Sequence, residues 1–87
     1  MKIKNGFVVR KITDSYMAVP VGKRTADVPG LVALSESGAL LWDFLKEERT
    51  EEDLADLLLQ NYEVEEEQAR KDVRDFLNFI SEQGWLD

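Results

Sequence analysis

The apolar positions in the first third of the chain form short, β-branched runs. Residues 7–12 and 16–21 are two such runs, and Asp14 and Ser15 between them are turn residues, so this stretch predicts a β-hairpin. Residues 31–34 form a third apolar run after the turn residues Pro29 and Gly30. Four apolar residues in a row could equally begin a helix, but the capping residues that follow favour a third strand.

The pattern changes to a helical period after this run. Ser35 or Ser37 offers an N-cap for a first helix that runs to about residue 48. Thr50 and Asp53 form a variant of the capping box, which predicts that a second helix starts directly after a tight turn.

The third predicted helix is the longest. It begins at residues 65–67, three glutamates whose charge suits a helix N-terminus, and it ends at Gly84, a typical residue for the C′ position. Its apolar stripe consists of Ala69, Val73, Phe76, Leu77 and Ile80. Trp85 and Leu86 follow as an apolar hook that could fold back onto the body. The pattern therefore predicts one domain over residues 1–87, an α+β fold of the winged helix-turn-helix type with a three-stranded antiparallel sheet before three helices.

Phe79 lies about 60° away from the main stripe of the third helix, between Asp72 and Asp75. An aromatic ring flanked by two carboxylates predicts an apolar groove with charged rims, on the side where Phe76 still reaches. The alternative is that Phe79 packs under the hook formed by Trp85 and Leu86.

Composition excludes most enzyme chemistry. The 87 residues contain no cysteine and no histidine, which excludes disulfides, thiolate or imidazole zinc sites and Ser-His-Asp or cysteine nucleophiles. Asp72 and Asp75 alternate with Arg70, Lys71 and Arg74, so they indicate a solvated helix face more than an acid-base pair. We expect no enzymatic activity, no cofactor and no metal.

Because no apolar run approaches the roughly 18–20 residues of a membrane span, we also expect a cytoplasmic protein with no membrane partner.

Charge is distributed unevenly along the chain. Residues 1–34 carry a net charge of +4 and residues 35–87 a net charge of −11, which gives −7 in total. A winged-helix DNA-binding regulator is the alternative function that the helix-turn-helix suggests. Residues 65–82, the candidate recognition helix, are net −3, however, and would enter a groove of DNA against repulsion. We therefore expect no nucleic-acid partner.

Residues 34–42 read Leu-Ser-Glu-Ser-Gly-Ala-Leu-Leu-Trp, which resembles the Leu-Asn-x-Thr-Gly-Ala-x-x-Trp pattern of the PqqD-like family. Ser35 and Ser37 replace the usual Asn and Thr, and both substitutes keep the capping chemistry. Further segments resemble the start of the family's second helix, its third helix and its C-terminal Gly-Leu-Leu, in that order: residues 49–54, 62–77 and 84–86. The resemblance is strong over residues 31–87 and looser over residues 1–30.

This resemblance implies a stand-alone RiPP recognition element, a peptide chaperone for ribosomally made, post-translationally modified peptides. Such a domain binds the leader segment of a precursor peptide and presents the precursor to a modifying enzyme, often a radical SAM protein. The leader would add as an antiparallel strand beside the third strand and lie in the groove between that strand and the third helix. The expected peptide-binding residues are Leu31, Val32, Ala33, Leu34, Asp72, Asp75, Phe76 and Phe79. The sequence leaves open which precursor and which enzyme these are.

Overall fold

The computed structural model describes residues 1–26, 28 and 30–87, and this part of the chain contains three strands and three α-helices. In chain order these are β1 (Phe7–Ile12), β2 (Ser15–Pro20), β3 (Val32–Leu34), α1 (Glu36–Phe44), α2 (Glu51–Asn61) and α3 (Glu66–Glu82), with a 3₁₀ turn at Gly22–Ala26 between β2 and β3. The predicted α+β class, with an antiparallel sheet followed by three helices, is confirmed.

The sheet has the strand order β1-β2-β3, and both pairings are antiparallel. Val9, Ala18 and Val32 lie opposite one another across the three strands, and Ala18 among them is fully buried. Because side chains alternate across a strand, this row defines the face of the sheet that packs on the helices. Ala33, the middle residue of β3, is exposed on the opposite face.

Side-chain caps fix the starts of the first two helices. Ser35 is the N-cap of α1, and its hydroxyl accepts a hydrogen bond from the backbone N–H of Gly38 at 3.0 Å. Thr50 and Asp53 form the predicted capping box of α2, with reciprocal hydrogen bonds of 2.9 and 3.1 Å. Both starts therefore follow from local sequence.

The core surrounds Trp42 of α1, whose side chain is completely buried. Its indole meets the ring of Phe7 at 5.2 Å, that of Trp85 at 5.9 Å and that of Phe76 at 6.3 Å between centroids. These partners come from β1, the C-terminal segment and α3, so Trp42 joins the sheet to the last helix. The other large, fully buried side chains belong to the helices or, in the case of Leu45, to the C-cap of α1: Leu41, Leu45, Leu54, Leu58, Val73 and Ile80.

The C-terminal hook, Trp85 and Leu86, folds back onto the body of the domain. This was a condition for the prediction that Phe79 packs against the hook. Gly84 has a φ of +79°, and the backbone N–H of Trp85 donates to the carbonyl of Ile80 at 2.9 Å, which is the pattern of a Schellman motif. Trp85 is buried, and Leu86 pairs with Ile3 in an antiparallel bridge. The two terminal segments therefore hold each other against the core.

The first helix is shorter than predicted and ends at Phe44. In a continuing helix the carbonyl of Leu45 would accept the N–H of Arg49. Instead the Leu45 carbonyl accepts the N–H of Ile3 at 2.9 Å, and the Arg49 N–H donates to the carbonyl of Met1, also at 2.9 Å. Pairing with the N-terminal segment therefore replaces the next helical turn, and the predicted tight turn before α2 becomes a longer connection.

The strand bounds also differ from those predicted. Leu31 precedes β3 and is 55% exposed, because the last residue pair between β2 and β3 is Ala18 with Val32. The hairpin turn falls at Thr13 and Asp14, so Ser15 is already the first residue of β2. The predicted turn before β3 includes Pro29, which lies outside the described residues.

Candidate functional site

An open groove of about 400 Å³ lies beside β3, bounded by the first turns of α1 and by α3. Its walls combine a strand end, a helix start and one face of the last helix. The residues that line it are Ala33, Leu34, Ser35, Ser37, Gly38, Leu41, Asp72, Asp75, Phe76 and Phe79. We call this set of ten residues the strand groove.

The floor of the strand groove is apolar. Leu41 is buried and Leu34 is partly buried against the core. Phe76 belongs to the predicted apolar stripe and is partly buried, because its ring contacts Trp42 and also lines the groove. Phe79 is 39% exposed. The groove thus presents two phenylalanine rings to an incoming side chain.

Both alternatives considered for Phe79 hold in part. The ring lines the strand groove, and it also meets the indole of Trp85 edge-on, at 6.1 Å between centroids. The Schellman motif at Gly84 places Trp85 under this ring. Phe79 therefore has one face on the C-terminal hook and another available to a ligand.

The first turn of α1 forms the end wall of the strand groove. Ser37 lies with its hydroxyl 3.4 Å from that of Ser35, the N-cap. A Cβ atom at position 38 would lie 3.0 Å from the Ser35 hydroxyl oxygen, a contact that few real Cβ atoms make. Glycine at this position therefore leaves room for the Ser35 cap and adds no side chain to the end wall of the groove.

Two carboxylates of α3 give the rim a negative charge. Asp72 accepts a hydrogen bond from the Gln68 side chain at 2.8 Å, and Asp75 accepts one from the Lys71 ammonium at 2.8 Å. This hydrogen bond and the charge of Asp75 raise the pKa of Lys71. Among the described residues that line the groove there is no lysine or arginine. Lys71 offsets the charge of Asp75, so the negative charge of the rim comes mainly from Asp72, whose partner Gln68 is neutral.

The edge of β3 is available for pairing. Within the described part of the chain, β3 pairs with β2 on one side only, and the strand groove lies beside it. An edge strand presents unpaired backbone N–H and C=O groups, which can add another strand. Backbone donors and acceptors and apolar side-chain pockets therefore lie side by side.

Sequence reasoning named eight residues for this site, and the structure brings six of them to the groove: Ala33, Leu34, Asp72, Asp75, Phe76 and Phe79. Leu31 lies outside β3, and Val32 faces the core side of the sheet without lining the groove. Four further residues line the groove that were not predicted to do so: Ser35, Ser37, Gly38 and Leu41. A signal for the first two was present, since an N-cap immediately after a strand places the first helical turn at the end of that strand.

The described residues contain no group of three or more His, Cys, Asp or Glu side chains that could hold a metal ion. In the same residues, none of the helices has the length and apolar character needed to cross a membrane.

Comparison with known proteins agrees with this fold. A search of the curated proteins finds no match. Among solved structures, the one described as TbiB1 in complex with the TbiA(beta) leader peptide is similar, with a TM-score of 0.73 and 25% sequence identity over 100% of this chain and 95% of that chain. The family model described as coenzyme PQQ synthesis protein D (PqqD) matches residues 25–86, which include all of β3 and the three helices. The chain therefore belongs to the PqqD family.

Proposed function

We propose that this protein is a RiPP recognition element that binds the leader segment of a ribosomally made precursor peptide and presents the precursor to a modifying enzyme, such as a radical SAM protein. In this proposal residues 1–87 act as one peptide-recognition domain. The leader adds as an antiparallel strand to the free edge of β3 and places side chains in the strand groove. The protein acts by binding, and the enzyme supplies the chemistry.

The observation that carries the proposal is the position of the strand groove beside the edge of β3 that pairs with no other strand among the described residues. β3 has three residues, so backbone pairing alone supplies few hydrogen bonds, each contributing about 0.5–1.5 kcal/mol net. A buried Leu- or Phe-sized side chain contributes roughly 1.5–3 kcal/mol. The pockets formed with Phe76 and Phe79 would therefore hold most of the affinity, and the strand would fix the register.

Family membership and structural similarity support the same conclusion. The TbiB1 structure is described as a complex with a leader peptide, and its fold matches the whole of this chain. The strand groove is formed by β3, α1 and α3, all of which fall within the matched residues 25–86.

Nuclear magnetic resonance titration tests the proposal. Peptides encoded by the short open reading frames that flank its gene would be added to the ¹⁵N-labelled protein. We expect one of them to shift the backbone amide signals of residues 32–34, 76 and 79. The signals of Arg10 and Lys11, on the other edge strand of the sheet, should stay in place.

Two results would contradict the proposal. If no flanking peptide shifted any signal, the protein would bind no precursor encoded beside its gene, and the proposed leader-binding role would be wrong. If the shifts clustered on β1, the protein would bind peptide at the opposite edge of the sheet, and the role assigned to the strand groove would be wrong.

A further inference from the structure

A second pocket adjoins the strand groove beyond the end of β3. This pocket lies around the first turn of α1, the end of α2 and the loop that leads to α3, and its volume is about 290 Å³. Its lining residues are Ser35, Glu36, Ser37, Leu58, Tyr62, Val64 and Asp72. We call it the end pocket. Ser35, Ser37 and Asp72 line both cavities, so the end pocket adjoins the strand groove, and we call the two together the path.

The walls of the end pocket are apolar and its rim is acidic. Leu58 is buried at its base, and Val64 is 36% exposed. The Tyr62 hydroxyl donates a hydrogen bond to a carboxylate oxygen of Glu36 at 3.3 Å. Burial, followed by the nearby charge of Glu36, raises the pKa of Tyr62, so this hydroxyl stays a donor. The pocket therefore suits an apolar side chain beside a cation.

The charged side chains that line the path are all acidic, and Asp75 among them is paired with Lys71 outside the path. Glu36, Asp72 and Asp75 line the strand groove or the end pocket, and the described lining residues of both contain no lysine or arginine. A ligand that follows the path gains from carrying basic residues between its apolar ones. Acidic residues in the same positions would be repelled.

The direction of strand addition decides which part of a leader reaches the end pocket. β3 runs from Val32 toward Leu34, and Ser35 follows at the start of α1. A strand that pairs antiparallel with β3 has its N-terminal end beside Leu34. The residues that precede the paired segment therefore meet the first turn of α1 and the end pocket.

We propose that the end pocket binds an apolar side chain from the same leader, contributed by a residue N-terminal to the segment that pairs with β3, with a lysine or arginine next to it that faces Glu36 and Asp72. This inference rests on the proposed function and specifies its ligand. The leader is thus read at two places, along β3 and beyond the end of β3.

Val64 and Leu59 allow a matched test. Both are apolar and 36% exposed, but Val64 lines the end pocket and Leu59 lines neither cavity. Val64→Lys places a like charge where the leader carries its basic residue and removes part of the apolar wall. Leu59→Lys makes the same chemical change away from the path.

The probe is a fluorescein-labelled peptide selected for binding to the wild-type protein from a random-peptide phage library. Fluorescence polarisation would measure its affinity for the wild type, Val64→Lys, Leu59→Lys and Ala33→Pro, after circular dichroism has confirmed that each variant folds. We expect Val64→Lys to lose about tenfold or more in affinity, the effect of one lost anchor, and Leu59→Lys to bind as the wild type does. When the peptide is shortened from its N-terminus, the wild type and Val64→Lys should become equal.

The outcomes distinguish a failure of the inference about the end pocket from a failure of leader binding at β3. If Ala33→Pro abolishes binding but Val64→Lys binds as Leu59→Lys does, the end pocket takes no part, and the inference fails while leader binding at β3 stands. If Ala33→Pro binds normally, or no peptide is enriched, the proposed function fails and the inference with it. If light scattering shows a dimer that Val64→Lys disperses while peptide affinity is unchanged, the end pocket is an interface with a second copy.

Discussion

The ring of Phe79 meets the indole of Trp85 edge-on, with 6.1 Å between the ring centroids and 81° between the ring planes. Trp85 in turn contacts Trp42 and Phe7 in the core. One rim of the strand groove is therefore supported by the C-terminal segment, and through it by the aromatic core.

Phe79→Ala should weaken peptide binding more than it weakens the fold. The side chain is 39% exposed, so its loss should cost much less than the about 3–5 kcal/mol of a fully buried phenylalanine. Phe76→Ala should cost more stability, because that ring also packs on Trp42. Thermal unfolding and peptide titration of both variants measure the difference. Equal losses of stability, with normal peptide binding by Phe79→Ala, would make Phe79 a core residue only.

Proline in β3 should abolish peptide binding. Only alternate residues of a strand direct their N–H groups to one edge, so Val32→Pro and Ala33→Pro together remove a donor from the free edge and one from the pairing with β2. Ala33→Ser keeps the N–H and a small side chain and is the control. Isothermal titration calorimetry should show no heat of binding for the proline variants. Normal binding by both folded variants would place the peptide elsewhere.

Reversing the charge of Asp72 and Asp75 to lysine should weaken a leader that carries basic residues by several-fold. Each exposed ion pair contributes only about 0.2–1 kcal/mol, and the loss should shrink at high salt as screening increases. Asp56→Lys combined with Glu82→Lys makes the same change in net charge at exposed positions outside both cavities. Calorimetry at two ionic strengths distinguishes the pairs. Unchanged affinity at low salt would remove these carboxylates from the binding site.

We expect no binding to duplex DNA. Residues 65–82 are net −3, and the cations of α3 are already paired: Arg70 with Glu66 at 2.9 Å, Lys71 with Asp75 at 2.8 Å and Arg74 with Glu51 at 3.8 Å. Electrophoretic mobility shift at low salt is the measurement. Sequence-specific retention that falls steeply with added salt would favour the winged-helix regulator instead.

The capping box of α2 should make stability depend on pH in the acid range. Hydrogen bonds from the backbone and the side chain of Thr50 lower the pKa of Asp53. Because the folded pKa lies below the unfolded one, this contribution is complete above the unfolded pKa and is lost as pH falls through the folded pKa. Asp53→Asn should therefore flatten the acid limb of the stability curve, as followed by chemical denaturation. An acid limb identical to that of the wild type would exclude this role.

Local sequence determined the features that depend on neighbouring residues. The N-cap Ser35, the capping box at Thr50 and the C′ glycine Gly84 all follow from side-chain or φ requirements within a few residues, and each is confirmed. The early end of α1 was not predictable in this way, because it depends on Ile3, which lies far from Leu45 in sequence. Long-range backbone pairing leaves no local pattern.

The same difference between local and long-range features applies to the candidate groove. Residues on a single element, such as Asp72, Asp75, Phe76 and Phe79, could be selected from helical periodicity. The end pocket combines α1, α2 and the loop before α3, so no single period contains it. The central position of Trp42 likewise depends on distant residues, since its partners Phe7 and Trp85 lie near the two ends of the chain.

The bridge between Ile3 and Leu86 links the ends of the chain to the affinity of the strand groove. Fraying of this bridge would release Trp85, and Phe79 would lose the ring that supports it. A conformer with frayed ends then binds peptide less well, so bound peptide must favour the closed ends by the same free energy. Ile3, although far from the groove residues in sequence, would in this way contribute to the affinity of the groove through Leu86 and Trp85.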